Sequence, residues 1–418
     1  MSNTVSNDVH TPARRSGRLM RLAQLMGPAF IVGAWQFGPG NLTSAVQAGS
    51  RFGYSLLWVI ALSTVLMLFF TDMSVRIAIM AKGGSLIEVI KARLGRATGV
   101  AAGIGVFCIT LMFSVGNAIG AGLGLSLVFG GSTVWWTLAT TTLVAATLLA
   151  RRLYGLIEKL LLAVIIGMGI CFVLTAVLAK PDWGAAAAGL VPSIPAGTGL
   201  LLVALVGTNF SINAAFYTGY ASRERGLTRS QYRETTLADT IPGIVAPGVM
   251  TMLVIIAAAA VLSGSGSQGA TLAQLADVLE PVAGPAGRII FALGFFGAAF
   301  SSMIANATAG GTLLADGLGF GNRLSSTTVK LCILAVLVVG AAVTVLFAGS
   351  SPVQMIIVAQ ALTVVVAPLL GVVLVILANN GSLMLDLRNR LWQNIGAAIG
   401  LIAILATCYR LVTGLLAG

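Results

Sequence analysis

The sequence predicts an all-α integral membrane protein in which two groups of five helices repeat with inverted topology. Three observations indicate this fold class. Hydrophobic residues make up 57% of the 418 residues and charged residues only 9%, with a mean hydropathy of +0.99, whereas soluble domains carry roughly 25% charged residues. The apolar residues fall into segments long enough to cross a bilayer. Polar residues interrupt the middle of the first and the sixth segment.

Eleven apolar segments have about the 20 residues that one helical crossing needs. Turn-forming runs such as Gly130-Gly131-Ser132 separate most of them. No loop is long enough for a soluble domain, so the helices must carry the function. The expected spans are 25–49, 55–81, 97–129, 133–150, 156–179, 200–221, 239–264, 288–315, 327–348, 353–378 and 393–416.

These spans divide the chain into four parts. We expect a cytoplasmic N-terminal tail (1–24), a first five-helix repeat (25–179), a second, inverted repeat (200–378) and an eleventh helix (393–416). With the N-terminus in the cytoplasm, the tail and the inner loops hold 19 of the 24 Lys and Arg residues. The positive-inside rule therefore predicts a multi-pass protein of a bacterial-type inner membrane with its C-terminus outside. It also explains the net charge of +12 without nucleic-acid binding.

The first span is interrupted where an unbroken helix would be expected. Gly38, Pro39 and Gly40 stand together near its middle. Pro39 lacks an N–H group and clashes with the preceding turn, and the glycines make non-helical angles cheap. Secondary transporters commonly build a substrate site at such a break, where protein or a watery cavity satisfies the freed backbone. A proline-kinked helix without a site is the alternative interpretation.

The sixth span carries a polar cluster at the corresponding depth, Thr208, Asn209, Ser211 and Asn213. The two spans lie five helices apart and cross in opposite directions, as an inverted repeat requires. Amides and hydroxyls at this depth can bond the carbonyls that unwinding releases. The alternative is a continuous helix whose polar residues hold it to its neighbours. We expect both helices to be unwound at mid-membrane.

Several runs of the sequence resemble one known family. The run G-P-G-N-L-T-S-A-V-Q-A-G-S-R-F-G-Y-S-L-L-W-V, Gly38 to Val59, closely resembles the first helix and loop of the NRAMP divalent-metal transporters. The resemblance covers nearly the whole chain from Leu25. It implies the LeuT-like fold, a five-plus-five inverted repeat with helices one and six unwound, and an eleventh helix. The other runs that look like the family are Pro181 to Gly184, Phe291 to Ser302, Ala359 to Leu370 and Leu383 to Trp392.

At the positions that the family uses for metal and protons, this sequence carries neutral residues. The family's first-helix motif is Asp-Pro-Gly-Asn, and Gly38 stands in place of the aspartate. In the sixth helix, Ser211, Ile212 and Asn213 stand in place of Met-Pro-His. The family's proton-path positions, which are also neutral here, are Ser114, Asn117 and Thr218.

The positions of the acidic residues also indicate a site without charged ligands, independently of the family resemblance. Of twelve, only Asp72, Asp239 and Asp316 lie away from loops, and these are near inner helix ends. Asp72 and Arg76, four residues apart, are expected to form a structural ion pair or a tie at the inner gate. The single histidine is His10, in the tail. Transition metals favour imidazole, thiolate, thioether or carboxylate ligands, so no metal site and no cofactor are expected.

The absence of charged residues at the two helix breaks suggests that the substrate is a polar solute. The N–H groups of Leu42, Thr43 and Ser44 are expected to face the cavity at a helix N-terminus, which attracts anionic groups. We therefore expect a secondary transporter that moves a neutral or anionic solute, such as an organic acid or an amino-acid derivative, by alternating access. Expected apolar walls are Trp35, Phe37, Phe210, Phe216 and Tyr217. The predicted substrate-binding residues are Gly38, Gly40, Asn41, Thr43, Thr208, Asn209, Ser211, Asn213 and Gln360, followed by Asn117, Ser301, Asn306 and Thr363 as further candidates.

Other classes of function fit the sequence less well. Transport of a divalent cation, Mg²⁺ or Mn²⁺, with or without proton coupling, is the main alternative, because the resemblance favours it and hydrated Mg²⁺ needs few direct ligands. An enzyme would need a catalytic base or metal in the bilayer, and no catalytic residues are predicted. A scaffold needs no broken helix. Expected partners are the bilayer and a small molecule or ion, without nucleic acid. The oligomeric state is not predicted, and a monomer is compatible with the sequence.

Overall fold

The computed structural model describes residues 27–81, 84–149, 151–263 and 271–417. Within these ranges the chain is helical apart from short turns, and no strand occurs. Eight of the described helical segments are long and apolar enough to cross a membrane, and two more apolar helices are shorter. The protein is therefore an all-α membrane protein. The expected tail lies outside the described residues, and the count of eleven spans stays a prediction.

The described residues of the first half of the chain form eight helices. The first predicted span is two helices rather than one, separated by Phe37 and Gly38. Pro39 opens the second of them, because its fixed φ angle suits the first helical position and its missing N–H has no partner to lose there. The bounds are α1 (Pro28–Gln36), α2 (Pro39–Phe52), α3 (Leu57–Met80), α4 (Leu86–Leu94), α5 (Arg96–Phe129), α6 (Thr133–Leu149), α7 (Arg151–Leu178) and α8 (Trp183–Ala188).

The second half begins with another interrupted span. Two further predicted spans are less regular than expected: a π-helical turn, Thr236–Thr240, precedes α12, and a 3₁₀ turn, Thr363–Val365, divides α17 from α18. The bounds are α9 (Gly199–Asn209), α10 (Ile212–Glu224), α11 (Tyr232–Thr235), α12 (Ile241–Leu262), α13 (Leu272–Ala276), α14 (Glu280–Ala283), α15 (Ala286–Leu318), α16 (Thr327–Leu346), α17 (Pro352–Leu362), α18 (Ala367–Ala378), α19 (Gly381–Met384) and α20 (Leu391–Ala417).

Both halves of the first span lie on α12. At Gly33 of α1, a Cβ atom would stand 1.9 Å from the carbonyl oxygen of Gly243. At Gly49 of α2, it would stand 2.4 Å from the carbonyl oxygen of Ile255. Real Cβ atoms do not come this close to backbone, so only glycine lets the helices approach. The two glycines thus seat α1 and α2 on one common helix.

Side chains close the face of the bundle at which α1 begins. The buried carboxylate of Asp239 accepts hydrogen bonds from the backbone N–H groups of Gly27 (2.8 Å) and Ala29 (3.1 Å). It therefore caps α1, where N–H groups lack helical partners and the helix dipole favours negative charge. The expected pair also forms: Arg76 Nε donates to Asp72 Oδ2 at 2.8 Å. Tyr232 donates to the other oxygen of Asp72 at 2.6 Å, so this pair ties α3 to α11.

Candidate functional site

The first break is two residues long and leaves few free N–H groups. Phe37 (ψ 41°) and Gly38 (ψ −178°) depart from helical angles. The N–H of Leu42 already donates to the carbonyl of Gly38 at 3.1 Å. Pro39 has no N–H, so the free groups at the start of α2 belong to Gly40 and Asn41. The expectation that Leu42, Thr43 and Ser44 offer N–H groups to the cavity is wrong, because all three lie inside α2.

The second break lies between α9 and α10. Phe210 (ψ 67°) and Ser211 (ψ 79°) are non-helical, and the N–H of Ile212 bonds to the carbonyl of Phe210 at 3.1 Å. Two helices therefore end at the breaks, α1 and α9, and two begin there. A helix C-terminus carries about half a negative charge on its free carbonyls. The breaks thus bring both signs of partial charge to the same place without any ionised side chain.

Between the breaks lies a small, partly open space, which we call the break cavity. Its volume is about 20 Å³, room for about one water molecule. Apolar contacts come from Val32, Trp35, Phe113 and Ala214. The polar side chains and glycines that line it are Gln36, Gly38, Gly40, Asn41, Asn117, Thr208, Ser211, Asn306 and Gln360.

The structure brings together six of the nine predicted binding residues: Gly38, Gly40, Asn41, Thr208, Ser211 and Gln360 line the cavity. Thr43, Asn209 and Asn213 do not. Asn209 instead directs its Nδ2 toward α3, 2.9 Å from Thr64 Oγ1 and 3.0 Å from Ser63 Oγ. Of the five expected aromatic walls only Trp35 lines the cavity, and Tyr217 packs against Trp35 with ring centroids 5.0 Å apart.

Gln36 was not among the predicted binding residues, and Asn117 and Asn306 were predicted only as further candidates. Gln36 is the last residue of α1 and stands next to the break, which was a usable signal. Asn117 and Asn306 lie on intact helices, α5 and α15, where a single amide more often bonds a neighbouring helix. Among the described residues, Asn117 Nδ2 and Gln36 Nε2 are buried without a hydrogen-bond partner. Unpaired buried amides at a cavity indicate a site that a ligand or water completes.

The amide of Gln360 occupies a slot between two helices. A Cβ atom at Gly40 would stand 2.2 Å from its Cδ atom, and one at Gly116 would stand 2.5 Å from its Nε2 atom. Both positions must therefore be glycine for the amide to fit. Its Oε1 atom is buried and has no hydrogen-bond partner in the described part of the chain. The slot therefore holds an amide oxygen with free lone pairs beside the cavity.

A chain of hydrogen bonds connects the two breaks through α15. Ser211 donates to Asn213 Oδ1 at 2.8 Å, and Asn213 Nδ2 donates to Asn306 Oδ1 at 3.3 Å. Asn306 Nδ2 donates to the carbonyl of Ser302 at 3.0 Å. The hydroxyl of Ser302 donates to the carbonyl of Trp35, also at 3.0 Å. Asn213 thus acts beside the cavity, holding Ser211 and Asn306 in place.

No side chain that lines the cavity can ionise near neutral pH. Two of the neutral proton-path positions bond backbone carbonyls instead: Ser114 donates to Val336 and Thr218 to Ala214, each at 2.8 Å. Within the described ranges no cluster of three or more His, Cys, Asp or Glu residues exists. A cation entering the cavity would therefore meet no charged ligand, and the ligands open to it would be neutral oxygens from amides, hydroxyls and the carbonyls of the breaks.

Known proteins resemble this chain over nearly its whole length. The family model described as "Natural resistance-associated macrophage protein-like" (Nramp) matches residues 29–414. A protein of Klebsiella pneumoniae subsp. pneumoniae, named divalent metal cation transporter MntH, is 27% identical over 417 residues, covering 98% of this chain and 99% of its own. The MntH of Granulibacter bethesdensis is 30% identical over 299 residues, covering 68% of this chain and 66% of its own.

Solved structures show the same fold. A variant of the Eremococcus coleocola manganese transporter superposes with a TM-score of 0.77 at 21% identity, covering 97% of this chain and 89% of that one. MhsT in complex with L-phenylalanine superposes with a TM-score of 0.56 at 16% identity, covering 94% of this chain and 99% of that one. The expected LeuT-like fold is confirmed by these similarities.

Proposed function

The chain belongs to the Nramp family, and on that premise we propose that it is a secondary transporter for a hard divalent metal cation, Mg²⁺ or Mn²⁺. The cation binds in the break cavity and crosses by alternating access. The observation that carries this proposal is the cavity itself: it lies between the two helix breaks and is lined by neutral oxygen donors from six helices. Carbonyl, amide and water oxygens suit Mg²⁺ and Mn²⁺ better than softer transition metals.

The expectation of an organic acid or amino-acid derivative as substrate is wrong. The relatives are named divalent metal cation transporters, and the similar structures include a manganese transporter. One feature of the site agrees with the correction. The start of α2 offers fewer N–H groups to an anion than expected, because the N–H of Leu42 is already bonded to the carbonyl of Gly38.

A neutral site can hold a divalent ion if the ion keeps part of its hydration. Mg²⁺ in particular gives up water reluctantly and is usually bound through few protein ligands. The C-termini of α1 and α9 supply partial negative charge, and Asn41, Gln360 and Asn306 supply amide oxygens. We assign the ligand role to these residues together with Thr208 and Ser211. Lacking a carboxylate, the site should bind weakly and release quickly.

The arrangement in the membrane follows the distribution of basic residues. In this proposal the N-terminus is cytoplasmic, the C-terminus is outside, and the membrane is a bacterial-type inner membrane. Residues 25–179 and 200–378 are the two inverted repeats. The face that Asp239 and Arg76 close is then the cytoplasmic face, and α1 is the element that must move to open it.

Uptake into liposomes tests the proposed function. Purified protein should give saturable uptake of Mn²⁺ and Mg²⁺ when the membrane potential is negative inside, since the cation carries two charges. Its rate should change less than about twofold between pH 6 and 7.5, because amides and hydroxyls do not titrate there. Absence of Mg²⁺ and Mn²⁺ uptake by monodisperse protein, with protein-free vesicles as the baseline, would contradict the proposal.

The slot of Gln360 supplies a second test of the site. Gly40→Ala should lower Mn²⁺ uptake about tenfold, since a methyl group at position 40 displaces the amide and removes an oxygen donor. Gly199→Ala is the matched control, because a Cβ atom there meets nothing within 4 Å. In a Gln360→Ala background, Gly40→Ala should cost nothing further. Additive losses would show that Gly40 acts independently of Gln360.

A further inference from the structure

One hydroxyl of α12 stands between a cavity residue and its own helix. Thr251 is fully buried, and its Oγ1 atom lies 2.8 Å from Asn41 Oδ1 and 2.8 Å from the carbonyl oxygen of Pro247. Both of these atoms can only accept a hydrogen bond. A threonine hydroxyl has a single proton to give. One of the two short oxygen–oxygen contacts would therefore have no proton between its atoms.

The nitrogen end of the Asn41 amide has protons to donate but no acceptor within the described part of the chain. Asn41 Nδ2 is buried and has no hydrogen-bond partner among the described residues. The two ends of an asparagine amide have nearly the same shape, so the hydrogen-bond network decides which end faces which neighbour. If the amide turns by half a rotation, Nδ2 donates to Thr251, and the Thr251 proton goes to Pro247. Both short contacts then contain a proton, and the amide oxygen takes the unpartnered position.

We propose that Thr251 is a positioning residue that holds the amide of Asn41 with its oxygen available to the cation. This inference rests on the proposed function. With its own proton committed to Pro247, the Thr251 oxygen can only accept, so it selects the N–H end of the amide. A cation needs a lone pair and is repelled by an N–H group. Thr251 thereby determines whether Asn41 acts as a ligand or as a barrier.

The test separates this role from simple packing. Thr251→Val keeps the shape of the side chain and removes the hydroxyl, whereas Thr251→Ser keeps the hydroxyl. Loss of a partner that orients a ligand typically weakens metal affinity about tenfold or more. We expect Thr251→Val to weaken Mn²⁺ binding, titrated by electron paramagnetic resonance on the purified transporter, and to raise KM for Mn²⁺ uptake by that factor with little change in kcat. Thr251→Ser should keep both the Mn²⁺ affinity and the KM close to their wild-type values.

Thr344→Val is the matched control. Thr344 is also buried and donates to a carbonyl four residues earlier on its helix, Gly340 at 2.9 Å, but it lies away from the cavity. Its loss should leave Mn²⁺ affinity unchanged. Equal Mn²⁺ affinity in the wild-type protein and Thr251→Val would overturn the role of Thr251 and leave the proposed function intact. Absence of Mn²⁺ and Mg²⁺ binding and uptake in the wild-type protein would instead overturn the proposed function and this inference with it.

Discussion

Gly38→Asp is expected to lower the KM for Mn²⁺ at least about tenfold, because a carboxylate adds fixed negative charge to a neutral site and charge count tunes divalent affinity. A Cβ atom at position 38 would stand 3.0 Å from Ser302 Oγ and 3.5 Å from Asn117 Oδ1. It would also stand 3.3 Å from the carbonyl oxygen of Trp35, so the Cβ atom fits if these neighbours shift by a few tenths of an ångström.

The same substitution should slow the transport cycle. A cation that binds more tightly leaves more slowly, so the maximal rate should fall as KM falls. Uptake should also become sensitive to acid, since protonation at low pH removes the added charge. Gly38→Asn is the matched control, because it has the same size without the charge. Equal KM values for the Asp and Asn variants, measured by Mn²⁺ flux into liposomes, would show that charge at this position does not set the affinity.

Gly33→Val is expected to abolish transport, with uptake at least about 100-fold below wild type. The position of a Cβ atom at Gly33 lies 1.9 Å from the Gly243 carbonyl oxygen, so valine cannot enter while α1 rests on α12. Forcing such a contact costs about 3 kcal/mol or more, which is roughly a 100-fold shift against the seated state. Alternating access needs both states, so the variant should be trapped with α1 displaced.

Two measurements distinguish trapping from misfolding. A cysteine introduced at the cavity residue Gln36 should react faster with a soluble thiol reagent in the Gly33→Val background than in the wild-type background. Gly167→Val is the matched control, because Gly167 also lies in an apolar helix and a Cβ atom there meets nothing within 4 Å. Uptake by Gly33→Val above about a tenth of wild type would mean that α1 need not seat on Gly243.

The sequence was most informative about features that one short segment decides alone. Apolar length indicated the membrane spans, and Gly38 with Pro39 indicated the first break, because a missing N–H and freed glycine angles are local causes. The direction of side chains beyond a break was not predictable. Helical periodicity fixes which residues share a face only within a continuous helix. The sequence therefore predicted both Thr43 and Asn209 at the cavity. In the structure neither residue lines it, and Asn209 bonds α3 instead.

The type of charge that the site suits was also hard to predict from the sequence. The missing carboxylate at Gly38 favoured a neutral or anionic solute, with a divalent cation as the alternative, but an amide offers either a donor or an acceptor depending on its partner. The partner of Asn41 is Thr251, 210 residues further along the chain. No local pattern connects these two residues. The contribution of Gln360 likewise depends on glycines of two other helices, Gly40 and Gly116.

Helix α12 touches the first span on both sides of its break. Thr251 holds Asn41, and Gly243, eight residues earlier and so about 12 Å along the helix, receives Gly33. Because Pro247 has no N–H, the carbonyl of Gly243 lacks its ordinary helical partner and is left to face α1. If α12 moves as one rigid element, metal occupancy and the seating of α1 are thermodynamically linked, and each must change the other by the same factor. A residue at position 247 that restores the N–H would then alter metal affinity without touching the cavity.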